Sequence, residues 1–454
     1  MSVAILRGDA RSLPLPDASV DLIVTSPPFY GLRDYTDGGE SLAGQIGSER
    51  TPQEYVAALL ACTAEWVRVL KPEGSLFVNL GDKYGERAGP GHAAGTKGRL
   101  ASRPERPRRK GLAETGIQPK SLMGLPWRYA LGCMDDLGLI LRAEIIWAKV
   151  NGLPESVTDR VRRSHEQVFH FTRQPTYYAA VDEIREAHSQ VSIARTGRNR
   201  FAPDLSQDGV GQPNTLNPRQ ACNPLGKLPG SVWEIPSQPL IVPASLGLDH
   251  FAAFPMELPR RIIAGWSPPG ICEACGEGRR PVIMSEVIGD RGGRKVNITE
   301  DHGTARLGLM RQTAITGYAC RCTPHTDHPE RRGKDFRAGT DRRVQGMNDR
   351  NGGERYRRYM ENPRGPVREY HFDRWDQAPT RPAIVLDPFM GTGTSLLVAS
   401  ALGRIGLGVD RSLDYCRLAQ WRTTDPAERA KAMQVPKPPP VPDGQDSLFD
   451  LEAS

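Results

Sequence analysis

Residues 383–410 constrain the fold more than any other stretch of the chain. Ala383–Asp387 (AIVLD) is a short apolar run ending in an acid. It reads as a buried strand. Pro388-Phe389-Met390-Gly391-Thr392-Gly393-Thr394 cannot continue that strand, because glycine and proline punctuate it. Ser395–Leu402 then reads as a helix, and Ile405–Val409 as a second strand closing on Asp410. Strand, glycine-rich turn, helix and strand in this order imply parallel strands with a crossover. Such a turn lets the backbone approach a ligand closely and presents unpaired N–H groups. An acid ~20 residues further on, at the next strand end, accepts hydrogen bonds from ribose hydroxyls. The candidate ligand is therefore a nucleoside-containing cofactor. Asp387, Pro388, Phe389, Gly391, Gly393, Thr394 and Asp410 are the candidate residues. The turn departs from the GxGxxG of dinucleotide sites and lacks the GK[ST] of ATPase phosphate loops. The same letters would also serve an ordinary βαβ turn.

The alternation recurs earlier in the chain. Val20–Thr25, Ser75–Leu80, Leu139–Trp147 and Glu166–Thr172 read as strands. Thr51–Val69, Leu122–Leu137 and 251–265 read as helices. The expected sheet is mostly parallel. The core occupies only part of the length, since only 38% of the 454 residues are hydrophobic and 47 Gly and 39 Pro demand much loop. No apolar run reaches membrane-spanning length, and an early charge at Arg7 argues against a secretory signal, so no membrane association and a cytoplasmic location are expected.

Thr25-Ser26-Pro27-Pro28-Phe29-Tyr30 closes the strand VDLIVT. Two prolines there make a rigid loop whose carbonyls are open, because proline has no N–H. A serine hydroxyl beside such a carbonyl can accept both hydrogens of an exocyclic amine. An aromatic after it can stack on a flat ring. Taken alone, SPP would equally be a turn ending a buried strand.

Together these segments resemble the amino-group DNA methyltransferases that act on cytosine N4 or adenine N6. TSPPFYGLRDY looks like their catalytic motif, and LDPFMGTGTS like their S-adenosylmethionine motif. The catalytic motif comes first, which is the permuted order of the β group. Leu6-Arg7-Gly8-Asp9-Ala10 looks like the segment whose acid, here Asp9, lies near the cofactor adenine. QPKSLMGLPWRYA, RAEIIWAKVNGLPESVTDRVRRSHEQVFHFT and SVWEIP resemble segments common in bacterial and phage members, and HFAAFPMELPRRIIA looks like the helix that closes over the methionine end. The likeness covers 1–84, 117–180, 231–266 and 382–422, about half the chain.

The resemblance implies a Rossmann-like α/β S-adenosylmethionine-dependent methyltransferase with circularly permuted motif order and irregular basic insertions. It implies a catalytic set of Ser26, Pro27, Pro28, Phe29 and Tyr30. The target base leaves the helix, an aromatic stacks on it, Ser26 and the Pro27 carbonyl hold its amine, and the methyl is transferred in line without a covalent enzyme intermediate. Serine before the two prolines leans to cytosine N4; adenine N6 is the alternative. Cytosine C5 chemistry needs a Pro-Cys nucleophile, and no such dipeptide occurs. RNA or protein amino-methyltransferases usually carry Asn or Asp before the prolines and keep the cofactor motif first, so they fit less well. A non-catalytic DNA-binding protein of the same fold fits poorly with both motifs intact. Ser164-His165-Glu166 is at most accessory, since methyl transfer needs no strong base.

The remaining segments divide as follows. Residues 1–84 and 117–180 are core, and 85–116 is a basic loop with seven basic residues against one acid from Lys97 to Lys110. That loop is either a solvated insertion or a strap on phosphates. Residues 181–250 are the expected target-recognition region, 251–266 the helix before the cofactor motif, and 267–380 a basic insertion. Cys272, Cys275, Cys320 and Cys322 in that insertion suit a structural zinc, with His325 and His328 as alternative ligands, or are simply unpaired thiols. Residues 381–425 complete the cofactor site, and 426–454 is a Pro-rich tail expected to be disordered. Gln445-Asp446-Ser447-Leu448-Phe449 resembles the peptide that binds the bacterial DNA sliding clamp. A net charge of +7 points to double-stranded DNA as partner. No nuclease motif is visible, so a cognate restriction nuclease would be a separate chain.

Overall fold

The computed structural model of the protein describes residues 2–32, 35–38, 40–87, 110–152, 154–189, 191, 223–243, 246, 254–290, 309–320 and 378–436. Two compact units emerge, one from Met1–Ile184, Leu228–Gly270 and Pro382–Ser454, the other from Arg185–Lys227 and Ile271–Arg381.

The first unit is built on an eight-stranded sheet. Its strands are β1 (Val3–Arg7), β2 (Val20–Thr25), β3 (Leu70–Leu80), β4 (Ile140–Ala148), β5 (His165–Thr172), β6 (Val232–Glu234), β7 (Ile384–Asp387) and β8 (Ile405–Asp410). Their spatial order is β1-β8-β7-β2-β3-β5-β4-β6. Every neighbouring pair is parallel except those made by β5, which runs against both β3 and β4. The reason is local. No helix separates β4 from β5, and without a crossover a strand can only return antiparallel.

Helices cover both faces, as a largely parallel sheet requires. On one face, Leu59, Cys62 and Trp66 of α1 (Pro52–Val69) and Tyr129 and Cys133 of α2 (Leu125–Asp135) pack on Ile23, Leu76, Val78, Phe169 and Phe171. On the other, Leu258 and Ile262 of α3 (Glu257–Trp266) and Leu397 and Val398 of α4 (Thr394–Ala401) pack on Leu22, Val24, Phe77, Val168 and Val385. The assignment alternates along each strand, so β2 is buried at all six positions. Helix α1 starts at a full capping box, Thr51 and Glu54 each satisfying the other's backbone N–H, with Pro52 at the first position. His170 belongs to this core. Its ring stacks on Phe77 at 4.2 Å and its Nε2 lies 3.0 Å from the Ser75 hydroxyl. Burial pulls its pKa down to about 3, so it is a neutral core residue.

Several expectations are corrected. The helix expected over 251–265 begins only at Glu257, behind Pro255. Within the stretch 181–250, where target recognition is expected, Val232–Glu234 forms the sheet's edge strand β6. The tail expected to be disordered from 426 starts with a helix, α6 (Pro426–Met433). Asp425 caps it through the Glu428 N–H, with proline at its first turn. Helix α5 (Leu413–Thr424) precedes it. Strand β1 and helix α5 were not among the expected elements.

The second unit contains an antiparallel hairpin, Arg280–Asp290 against Leu309–Ala319, with two register shifts. A short pair joins Ile271–Cys272 to Thr380–Arg381. This insertion is therefore partly β-structured, which its low apolar content concealed. Residues 88–109 of the basic loop, 192–222 of the expected recognition region, and the clamp-like peptide Gln445–Phe449 lie outside the described residues.

Candidate functional site at the carboxyl strand ends

Strands β1, β8, β7, β2 and β3 lie side by side and parallel, so their carboxyl ends share one edge. From β7 the chain passes through α4 to β8 on one side, while β2 flanks it on the other. Such a reversal of strand order opens a crevice at the carboxyl ends. Both motifs of the sequence lie there. Thr25, at the end of β2, donates its hydroxyl to Asp387 Oδ1 at 2.7 Å across 362 residues of sequence.

The turn after β7 is tied down from every direction. Asp387 is 1% exposed and also accepts from Ser395 Oγ at 2.7 Å and from the Phe389 N–H at 3.2 Å. Burial pushes its pKa up to about 6, against the pull of these donors. Pro388 starts the turn and Phe389 lies edge-on to Trp66. Gly391 and Gly393 take φ of +48° and +72°, a region that L side chains enter only with strain. A Cβ at Gly393 would also stand 3.0 Å from Ala419, so α5 packs directly on the turn. The hydroxyls of Thr392 and Thr394 accept from the Arg422 guanidinium at 2.8 and 2.6 Å. Arg422 is buried on α5 and pairs at 3.1 Å with buried Glu428 of α6.

Asp410 closes the neighbouring strand. Each carboxylate oxygen accepts one backbone N–H, from Ser412 at 3.0 Å and from Gly391 at 3.1 Å. Lone pairs remain on both oxygens for hydroxyl donors. Burial pushes its pKa up to about 6. Asp9 follows β1, whose last residue, Arg7, is paired with Asp410. The Arg11 guanidinium beside Asp9, with Arg411 at 3.7 Å, holds that carboxyl below the usual carboxylate range. Asp37 reaches in from the segment after the catalytic motif and accepts from the Leu413 N–H at 2.9 Å, at the start of α5. A glycine turn without side chains in the way and a carboxylate for ribose at the next strand end fit the adenosyl group of S-adenosylmethionine.

The loop after β2 is held more sparingly. Pro27 is buried, and the Pro28 carbonyl accepts from the Tyr55 hydroxyl at 2.9 Å. Among the described residues no donor meets the Pro27 carbonyl. Ser26 Oγ accepts from Asn79 Nδ2 at 3.3 Å. That amide also donates to Glu166 at 2.8 Å, and Glu166 pairs with Lys149, whose ammonium lies 4.4 Å from the Trp147 ring centroid. Asn79 Oδ1 is buried and, among the described residues, has no donor. Phe29 is partly buried with its ring against Gly81, where a Cβ would come within 2.6 Å of it. Tyr30 is 2% exposed, and its hydroxyl donates to the Arg50 carbonyl at 3.0 Å. The expectation that Tyr30 could stack on a flat ring therefore does not suit its core position; its neighbour Phe29 is the more accessible aromatic. A cavity of about 330 Å³ is lined by Tyr30, Gly31, Gln45, Lys83, Lys110 and Met123 among others.

The structure thus gathers Asp9, Ser26–Phe29, Asp387–Thr394 and Asp410 along one sheet edge. It keeps Cys272, Cys275 and Cys320 in the other unit, and Cys322 lies outside the described residues. Asn79, Arg422, Glu428 and Asp37 were missed by sequence reasoning. Only Glu428 had a local signal, the Asp-Pro-x-Glu of a helix start.

Proteins similar to this chain are DNA methylases. The DNA methylase family model (N6_N4_Mtase) matches residues 20–272 and 380–421. The type II methyltransferase M.SmaI of Serratia marcescens is 32% identical over 320 residues, covering 68% of this chain and 92% of its own. M.XycI of Xanthomonas campestris pv. cyanopsidis is 34% identical over 272 residues, covering 59% and 73%. Among solved structures, the PvuII DNA methyltransferase, described as cytosine-N4-specific, aligns over 96% of this chain and 91% of its own, with a TM-score of 0.46 and 14% identity.

Proposed function

Since the chain belongs to the DNA methylase family of N6 and N4 amino-methyltransferases, we propose that it methylates the exocyclic N4 amine of cytosine in duplex DNA. One observation carries the reading. The serine and proline acceptors after β2 sit one hydrogen bond, Thr25 to Asp387, from the glycine turn after β7. Donor and acceptor sites for a group transfer are thereby side by side on one rigid edge.

S-adenosylmethionine, when bound, supplies an electrophilic methyl group on a sulfonium. Asp410 would accept its ribose hydroxyls, the Asp387–Thr394 turn would hold it close to the backbone, and Asp9 would serve its adenine end. Ser26 Oγ and the Pro27 carbonyl accept the two amine hydrogens of the flipped base, so the nitrogen lone pair is directed away from the loop. Phe29 stacks on the ring. Asn79, anchored by Glu166 and Lys149, fixes the Ser26 hydroxyl and is a positioning residue. The chain's contribution is orientation and desolvation rather than a strong base.

Serine at position 26 is what favours cytosine N4 over adenine N6. Mass spectrometry of nucleosides from DNA treated with the enzyme tests this. N4-methylcytosine supports the reading, and N6-methyladenine replaces it by the alternative. The basic segments contact phosphates, so DNA binding should weaken steeply with salt. The tail Gln445–Phe449 is proposed to dock on the bacterial sliding clamp. A pull-down unaffected by Leu448→Ala and Phe449→Ala would remove that proposal.

A further inference from the structure

The second unit carries a site of a different chemistry. Cys272 ends the short strand that pairs with Thr380–Arg381. The chain then turns back on itself. The Cys272 carbonyl accepts from the Gly276 N–H at 2.8 Å, and the Cys272 N–H donates to the Glu277 carbonyl at 2.9 Å. Gly276 makes this possible by taking φ of +72°. The turn brings Cys275 back beside Cys272. Residue Arg280, at the start of the hairpin, pairs with Ala319. Cys320 is the next residue, so the hairpin's open end delivers a third thiol to the same point. The three Sγ atoms all lie within 4.8 Å of one another.

We propose that Cys272, Cys275 and Cys320 supply three of the four ligands of a structural zinc ion. With Zn–S bonds of ~2.3 Å, tetrahedral sulfurs stand about 3.8 Å apart, so the observed cluster needs only a small contraction. Three converging thiols favour a metal over a disulfide, which would join two and leave the third. Each cysteine that binds gives up its proton to solvent as the thiolate–zinc bond forms, and no redox change is involved. The role is structural. The ion ties the turn at 272–275 to the far end of a hairpin, closing a loop in a segment too poor in apolar residues to be held by a core. The described cysteines of the first unit compete weakly, since burial holds the thiols of Cys62 and Cys133 up at about 12 and that of Cys416 at about 11.

The test uses the full chain, expressed with zinc in the medium and purified without metal-affinity resin. Elemental analysis is expected to give one zinc per chain, retained on dialysis and released by a mercurial thiol reagent. Cys272→Ser, Cys275→Ser and Cys320→Ser should each lose the ion, while Cys222→Ser keeps it. Wild-type protein loaded with cobalt(II) in place of zinc should show thiolate-to-cobalt charge transfer and the intense visible bands of a tetrahedral site. That readout does not depend on how the variants fold. Wild-type protein without zinc and without thiolate–cobalt bands would overturn the proposal. So would retention of the full zinc content by all three serine variants.

Discussion

The two loops that meet at the sheet edge are built in opposite ways. In the turn after β7, the polar groups are answered by protein. Asp387 has three donors, Thr392 and Thr394 share Arg422, and the Gly391 N–H is taken by Asp410. In the loop after β2, Ser26 has one long hydrogen bond of 3.3 Å, from Asn79 of β3, and among the described residues the Pro27 carbonyl has no donor. A buried acceptor left without a donor costs free energy of about 1–3 kcal/mol, so such groups are retained where a ligand completes them. The turn after β7 is held by protein partners, while the loop after β2 keeps acceptors open.

The largest test of this contrast is Glu428→Ala. It strips Arg422 of its buried partner, and breaking such a pair costs on the order of 3–5 kcal/mol. Denaturant unfolding should show the loss, and calorimetry should show weakened S-adenosylmethionine binding. Unchanged stability and affinity would mean that the turn does not depend on its support. Next comes Ser26→Ala. Misplacing a reacting group typically costs about 100-fold, so kcat should fall by that order while cofactor affinity stays constant. A parallel fall in cofactor affinity would erase the division between the two loops. Asn79→Ala removes the one bond that steadies Ser26, and roughly a tenfold fall in kcat is expected, close to one hydrogen bond. The fall should appear in kcat and not in KM, since Asn79 positions Ser26 rather than binding the base.

The smallest effect is one of pH. Burial holds the Asp410 carboxyl up at about 6, so it is protonated below that pH and loses acceptor capacity for ribose hydroxyls. Cofactor affinity is expected to fall as pH drops through 6 and to level off above it. Asp410→Asn should flatten the profile, and a profile unaltered by that substitution would assign the titration to another group.

Both loops were legible in the sequence because each states its backbone locally. Gly391 and Gly393 announce a turn that other residues resist, and Pro27-Pro28 announces a loop without donors. The supports were not legible. Arg422 and Asn79 act on the site through partners 28 to 87 residues away, and their letters would suit a solvated surface as well. The antiparallel course of β5 follows from a missing crossover helix, which the apolar runs alone do not reveal. The helix α6 was overlooked because the prolines beyond it dominate the composition, although Asp425, Pro426 and Glu428 spell its start. The hairpin at 280–319 lacks the alternation of a half-buried strand.

The wide separation of Thr25 and Asp387 also bears on how the protein is made. As the chain is synthesised, β2 appears early with β3 as its only neighbour, and its other edge waits for β7. Through most of translation that edge is bare, and so is the apolar face of Leu22, Val24 and Phe77 that α3 and α4 will cover. Bare edges and apolar faces are what chaperones and aggregates recognise. Strands β7 and β8, late in the chain, complete the sheet between β1 and β2.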